Sequence, residues 1–354
     1  MSLYKTDAAT NVRKGEELNI QKLNLYLSQN CPGIGEVLEV TQFSGGFSNL
    51  TYCLKTATND YVLRRPPFGA NIKSAHDMGR EFKVLSLLKP VYNKVPTPVS
   101  FCEDLSIMEA PFYIMERMEG VILRASNAPR LQLTPEVLRL SSEALIDNLV
   151  TLHGLDIEST GLIQLGKPEG YMQRQVEGWI KRYYNSETDK IESLDKIADW
   201  LKANLPDAQH DAFIHNDYKY DNVVLNPDNL ADIIGVLDWE MATVGDALMD
   251  LGGTLAYWSE ADDTDEIKFF NLTWLPGNLT RKEVIERYAA KSGRDVSNIL
   301  FYYIFGLYKN AVIAQQIYAR WKQGHTKDPR FGALLPIIKG LGNKADNALD
   351  AGKV

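Results

Sequence analysis

The spacing of hydrophobic and polar residues changes about one third of the way along the chain. Between residues 35 and 118, short apolar runs alternate with polar positions and are separated by turn residues, a pattern typical of β-strands. The predicted strands cover residues 37–43, 49–55, 61–65, 101–103 and 112–118. A helix is predicted at 77–88, where Phe82, Leu85 and Leu88 share one face and Pro90 follows. This part of the chain is therefore expected to form five strands and one helix.

Residues 135–345 carry apolar positions mainly at helical spacing, interrupted by one predicted hairpin. Thr134 followed by Pro135 is typical of a helix N-terminus, and this helix is expected to end near 153–154. Further helices are predicted at 170–185, at 190–204 and from 246 onward, and the hairpin strands at 223–225 and 233–237. The predicted fold class is α+β, with a small antiparallel-sheet lobe at 1–118 and a larger, mainly helical lobe at 119–354.

The composition excludes several classes of protein. The 354 residues are 45% hydrophobic, with a formal net charge of -8, which argues against a nucleic-acid partner because such proteins usually present a basic surface. The three cysteines form no Cys-x-x-Cys pair, so neither a disulfide framework nor a zinc site is expected. Residues 1–19 lack an apolar signal segment. Polar residues interrupt the apolar stretch 299–317, which indicates a buried helix and not a membrane span. We therefore expect a cytoplasmic protein with no membrane span.

Polar side chains cluster around the predicted hairpin. Asp217 precedes it, Asn222 leads into its first strand and Asp238 ends its second strand. Because a hairpin brings its two ends together, these three side chains are expected to face one space. Their oxygens suit Mg²⁺, a hard cation that completes its shell with water and phosphate. The pattern predicts phosphoryl transfer, with Asn222 and Asp238 binding Mg²⁺ and Asp217 accepting or orienting the proton of the attacking hydroxyl.

The same segments resemble a known family. The motifs are His215-Asn216-Asp217, Asp221-Asn222, Leu237-Asp238-Trp239-Glu240, Gly245-Asp246 and Asp250-Leu251. Together they resemble the aminoglycoside phosphotransferase and choline kinase family over residues 35–320, and most resemble the phosphotransferase-like domains fused to acyl-CoA dehydrogenases. The resemblance implies a bilobal protein-kinase-like fold, in which residues 1–118 bind ATP or GTP and 119–354 carry catalysis and the acceptor. We interpret His215 as orienting its loop, and Asp246 and Asp250 as bracing it or capping helices.

The resemblance also implies a set of nucleotide-binding residues. A cation on the third strand, Arg64, would pair with Glu81 to hold the α- and β-phosphates, although the family usually has lysine there. Lys219 either contacts the γ-phosphate or is a surface lysine. The phosphate loop would consist of Ser44, Gly45, Gly46, Phe47, Ser48 and Asn49. The purine would contact backbone groups of Glu116 and Met118 beside Met115.

Other interpretations stay open at this point. Because Arg64 replaces the usual lysine, a catalytically weak or inactive nucleotide-binding module is the main alternative. A protein kinase is less favoured, because only seven residues separate Asp238 from Asp246 and leave no room for an activation segment. Four aromatic residues either line the acceptor site or belong to the core, namely Trp258, Trp274, Tyr302 and Tyr308. The acidic segment 259–266 either binds a cationic acceptor or is a solvated loop.

Overall fold

The computed structural model describes residues 4–43, 49–68, 77–207, 210–269, 271–326 and 328–354. The chain packs as two compact units. The first comprises Met1–Ile122, Val224–Asp228 and Ile233–Glu240, and the second comprises Leu123–Val223, Asn229–Asp232 and Met241–Val354. The division into nucleotide-binding and catalytic lobes after residue 118 stays a prediction.

The first unit is built on a five-stranded antiparallel sheet of order β1-β2-β3-β5-β4. Its core contains Tyr52 and Leu54 from β2, Leu63 from β3 and Ile114 from β5, all fully buried. The predicted antiparallel sheet with one main helix is confirmed. Its elements are α1 (Ile20–Asn30), β1 (Glu39–Gln42), β2 (Leu50–Lys55), β3 (Asp60–Arg65), α2 (Met78–Leu88), β4 (Pro98–Cys102), α3 (Leu105–Met108) and β5 (Phe112–Glu116).

Two helices of this unit were not predicted. In α1 only Leu23 and Leu27 are buried, so its apolar face is too narrow to stand out in the sequence. The other, α3, has four residues. By contrast, α2 begins as expected, because Asp77 caps it by accepting a hydrogen bond from the Arg80 N–H at 2.8 Å.

The rest of the chain is mainly helical, as predicted. Thr134 caps α5 and Pro135 occupies its first turn, as the sequence indicates. The elements are α4 (Ala128–Leu131), α5 (Pro135–His153), α6 (Tyr171–Ser186), α7 (Glu192–Ala203), β6 (Asp211–Ile214), β7 (Val223–Asn226), β8 (Asn229–Val236), β9 (Thr243–Asp246), α8 (Ala247–Tyr257), α9 (Asp265–Lys268), α10 (Arg281–Ser292), α11 (Ile299–Lys322) and α12 (Leu334–Ala351).

The longest helix, α11, forms the centre of the second unit. It packs closely on α8, because a Cβ at Gly252 would collide with the backbone of Tyr302, and one at Gly306 with the backbone of Gly252. Most of its residues are buried, in agreement with the prediction of a buried helix at 299–317. Within the described ranges, the apolar stretch of every helix is too short or too polar to span a membrane.

A second small sheet accompanies the predicted hairpin of β7 and β8. Strands β6 and β9 pair in antiparallel register, with Asp211 opposite Asp246 and Ile214 opposite Thr243. The expectation of one hairpin was incomplete here, since two four-residue strands far apart in the sequence leave only a weak pattern. This pairing fixes the point at which the chain enters residues 215–217.

Candidate active site

The loop at residues 215–217 directly follows β6 and is held by a buried carboxylate. Asp250 of α8 accepts hydrogen bonds from the backbone N–H groups of His215 and Asn216, both at 2.7 Å. Asn216 has a φ of 67°, a left-handed conformation that needs such support in a residue other than glycine. Burial acts to raise the pKa of Asp250, but its hydrogen bond with His153 and nearby positive charge outweigh burial and lower it. The ionised Asp250 therefore braces the loop, as we interpreted from the sequence.

Asp217 lies at the end of this loop and is surrounded by donors. Lys219 Nζ lies 2.8 Å from each carboxylate oxygen, and Asn222 Nδ2 donates to Asp217 Oδ2 and to its backbone carbonyl at 2.9 Å. Burial acts to raise the pKa of Asp217, yet the Lys219 ammonium outweighs burial and lowers it. An ionised carboxylate of low basicity orients a hydroxyl better than it removes a proton.

His215 contacts the backbone of Asp217, and Tyr257 lies beside its partner Lys219. His215 is fully buried, and its Nδ1 accepts the Asp217 N–H at 3.2 Å, which agrees with an orienting role. Lys219 Nζ also lies 4.3 Å from the ring centroid of Tyr257. Lys219 is therefore a partner of Asp217 here, with a side chain 18% exposed, and not an isolated surface lysine. Its contact with the γ-phosphate stays a prediction.

The predicted Mg²⁺ ligands fit a hard cation by their chemistry. Asn222 uses its amide nitrogen on Asp217, which leaves the amide oxygen as its remaining polar side-chain atom. No group of three or more His, Cys, Asp or Glu side chains suited to a metal occurs in the described ranges. One amide and one carboxylate form a smaller donor set, which Mg²⁺ completes with phosphate and water. Asn222 belongs to the second unit and Asp238 to the first, and their convergence stays a prediction.

Arg64 of β3 forms ion pairs with three acidic residues of the first unit. Its Nη1 contacts Glu81 of α2, its Nη2 donates to Asp238 Oδ1 at 3.0 Å, and Glu240 lies 3.8 Å from Nη2. Asp238 has a φ of 65°. Burial acts to lower the pKa of Arg64, but Glu81 and the other acids hold it well above its usual value. The structure thus brings Arg64 and Glu81 together, as predicted. The planar guanidinium group of arginine contacts two carboxylates through separate nitrogens, whereas the ammonium group of a lysine is a single point charge.

The predicted phosphate loop is described only at its last residue. Ser44, Gly45, Gly46, Phe47 and Ser48 lie outside the described residues. Asn49 is buried, and its Nδ2 donates to Glu240 Oε2 at 2.8 Å. Sequence reasoning missed this role of Glu240, although a second carboxylate two residues after Asp238 was a signal that could have drawn attention to it. Glu240 links the end of the loop to the segment that carries Asp238.

The predicted purine-binding segment covers the last two residues of β5 and continues to Met118. Met115 is buried, and the Glu116 N–H already donates to the carbonyl of Thr97 at 2.9 Å. Met118 packs against Gly235, where a Cβ would lie 2.5 Å from its sulfur. The contacts of Glu116 and Met118 with a purine stay predictions.

The residues considered for an acceptor site differ in their surroundings. Trp258, Tyr302 and Tyr308 are at most 2% exposed and belong to the core, whereas Trp274 is 38% exposed. In the acidic segment, Glu260 and Asp263 form ion pairs with Arg281 at 2.6 and 2.7 Å. These two acids therefore neutralise an internal arginine and are not simply solvated.

Comparison with known proteins places the chain in a family. The model of the family described as "Phosphotransferase enzyme family" matches residues 39–285. The chain is 34% identical over 333 residues to acyl-CoA dehydrogenase family member 11 of Rattus norvegicus, covering 92% of this chain and 42% of the relative. It is 33% identical over 293 residues to family member 10 of Mus musculus, covering 80% and 26%. The chain thus spans less than half the length of these curated relatives.

Solved structures share the fold. One described as a "putative aminoglycoside phosphotransferase" from Ralstonia eutropha is 28% identical, with a TM-score of 0.78, and the match covers 94% of this chain and 99% of that one. Spectinomycin phosphotransferase, solved with ADP and spectinomycin, is 13% identical with a TM-score of 0.58, covering 93% and 98%. The chain has a protein-kinase-like fold and belongs to the phosphotransferase enzyme family.

Proposed function

We propose that this protein is a Mg²⁺-dependent small-molecule kinase that transfers the γ-phosphate of ATP or GTP to a hydroxyl of a small acceptor. The observation that carries the proposal is Asp217, an ionised carboxylate held by Lys219 and Asn222 at the end of a braced loop. Phosphoryl transfer needs such an oriented carboxylate, because positioning and electrostatics supply most of the catalysis.

Each predicted residue has a role in this proposal. Asp217 orients the acceptor hydroxyl, and Lys219 would contact the γ-phosphate. Asn222 and Asp238 would hold Mg²⁺, which neutralises phosphate charge when it is bound. Arg64 and Glu81 would hold the α- and β-phosphates. The loop Ser44, Gly45, Gly46, Phe47, Ser48 and Asn49 would cover the phosphates, and Met115, Glu116 and Met118 would contact the purine.

A weak or inactive nucleotide-binding module is the second candidate. The observation that favours it is the bond from Arg64 to Asp238, which engages one oxygen of the proposed metal ligand. If the protein is such a module, we expect it to bind nucleotide in the presence of Mg²⁺ without transferring phosphate. If it is a kinase, we expect it to hydrolyse the nucleotide slowly without an acceptor and to turn it over faster when the acceptor is added. A protein kinase is disfavoured by the short segment between Asp238 and Asp246.

The experiment is a screen of hydroxyl-bearing metabolites for nucleotide-dependent phosphorylation, with Asp217→Asn as the test variant. Because Asn keeps the shape but removes the charge, we expect transfer to fall about 10²- to 10⁴-fold with nucleotide affinity within about twofold. The matched control is Asp228→Asn, at an exposed turn, which is expected to retain wild-type turnover. Equal turnover in all three proteins would refute the role of Asp217, and binding without transfer in the wild type would favour the module.

A further inference from the structure

Helix α11 carries a lysine in its buried part. Lys309 is 6% exposed, and its Nζ donates to the backbone carbonyl of Asn216 at 2.7 Å. Its Nζ also lies 5.8 Å from the ring centroid of Trp179. Across the residues that the structure describes, the Lys309 ammonium has no other hydrogen bond, and no carboxylate lies within 4 Å of its Nζ. Burial of an ammonium without a carboxylate partner is unfavourable, and burial lowers the pKa of Lys309.

The contact matters because of the peptide group that it holds. The Asn216 carbonyl and the Asp217 N–H belong to the same planar peptide unit. Lys309 holds the oxygen of this unit, and His215 Nδ1 accepts its N–H at 3.2 Å. Fixing both polar atoms fixes the orientation of the plane.

This orientation is not the one that the local backbone would choose. Asn216 has a φ of 67°, a left-handed conformation that is unfavourable for a residue other than glycine unless its surroundings hold it. Asp250 holds the N–H on one side of Asn216, and Lys309 holds the carbonyl on the other. Without Lys309, the carbonyl of the 216–217 peptide loses its partner, and the plane is held through its N–H by His215 alone. A change in the φ of Asp217 then alters the direction of its Cα–Cβ bond relative to this plane.

We propose that Lys309 is a positioning residue for phosphoryl transfer, which orients the carboxylate of Asp217 by holding the 216–217 peptide. This inference rests on the proposed kinase function. A misplacement of a reacting group by about 1 Å can reduce the rate by about 10²-fold. A contact that fixes the position of Asp217 therefore has a measurable effect on the rate of transfer.

The test compares Lys309→Met, which removes the ammonium but keeps the length, with Lys309→Arg, which keeps donors. Lys322→Met is the matched control, because Lys322 lies at the end of the same helix with its ammonium bonded to Asp189 on the surface. The first measurement is hydrogen exchange at the Asp217 amide in the free protein. The second is kcat together with KM for nucleotide and acceptor.

We expect Lys309→Met to speed exchange of the Asp217 amide about tenfold or more and to lower kcat about 10- to 10²-fold, with KM for the nucleotide within about twofold. Lys309→Arg should recover part of the lost kcat, and Lys322→Met should match the wild type. If Lys309 merely filled space, Lys309→Met would keep a higher kcat than Lys309→Arg. A higher kcat in Lys309→Met than in Lys309→Arg would therefore overturn the proposal. Unchanged exchange and kcat in Lys309→Met would also overturn it.

The two proposals fail differently. Absence of phosphate transfer by the wild type to any acceptor would refute the kinase function. The exchange rate of the Asp217 amide does not depend on turnover, and it would still report whether Lys309 holds the peptide. Should Lys309→Met fail to fold, the same exchange measurement on Lys309→Arg decides the question. A wild-type exchange rate in that folded protein supports the proposal, and a rate raised tenfold contradicts it.

Discussion

Replacing Arg64 with methionine would leave Glu81 as a buried carboxylate without its cation. Arg64 is 9% exposed in its side chain and Glu81 is 1% exposed, so water cannot take over the lost interaction. Asp238 and Glu240 also lose a partner, but they are 33% and 26% exposed and are partly hydrated already. The penalty is therefore expected to come mainly from Glu81.

The magnitude follows from this difference in burial. Removing one partner of a buried ion pair destabilises a protein by about 3–5 kcal/mol, whereas a partly exposed pair contributes about 0–1 kcal/mol. We expect Arg64→Met to lower the free energy of unfolding of the first unit by about 3–5 kcal/mol. The double variant Arg64→Met with Glu81→Met replaces both charges by apolar groups, and it should recover most of that loss because no charge is left stranded.

Urea denaturation of the wild type, the two single variants and the double variant completes a double-mutant cycle for this pair. Hydrogen exchange on peptides from β3 and α2, with peptides from α10 as a reference, assigns the loss to the first unit. A loss below about 1 kcal/mol for Arg64→Met would refute the reasoning. So would a double variant less stable than either single variant, because the stranded charge would then not be the cause.

Two further predictions concern the buried carboxylates of the second unit. Asp250→Asn keeps one acceptor oxygen, so one of the two backbone N–H groups of His215 and Asn216 loses its acceptor. This should destabilise the second unit by about 1–3 kcal/mol in urea denaturation, and a loss under about 0.5 kcal/mol would contradict this. Asp263→Asn should cost about 3–5 kcal/mol at pH 7, because it breaks a buried pair with Arg281. Burial acts to raise the pKa of Asp263, but its hydrogen bond with Arg281 outweighs burial and lowers the pKa. The stabilisation by Asp263 is therefore present above about pH 4 and is lost as the pH falls further. Melting curves at several pH values check this, and a difference between wild type and variant that grows in acid would refute it.

Local sequence patterns predicted much of the fold. The alternation of apolar and polar residues in β2 and the cap at Thr134 involve residues within a few positions of each other. Such interactions can be predicted from the sequence, because side-chain direction and capping depend on residues close by in the chain. The pairing of Arg64 with Glu81, 17 residues apart, was also expected from the motif.

Contacts between distant residues could not be predicted in this way. Lys309 reaches Asn216 across 93 residues, Arg64 reaches Asp238 across 174, and Asn49 reaches Glu240 across 191. Each depends on which elements pack together, and a single side chain gives no period or spacing that identifies such a partner. The small sheet of β6 and β9 was missed for the same reason.

The sequence by itself determined the sheet, the main helices and the family, since these follow from periodicity, capping and a joint motif. The tertiary structure alone decided that Trp258 and Tyr308 belong to the core, that Asp263 neutralises an internal arginine, and that Lys309 holds the loop of Asp217. Burial and pairing of charge are properties of the packed chain, because they depend on what surrounds a side chain in space and not on its neighbours in sequence.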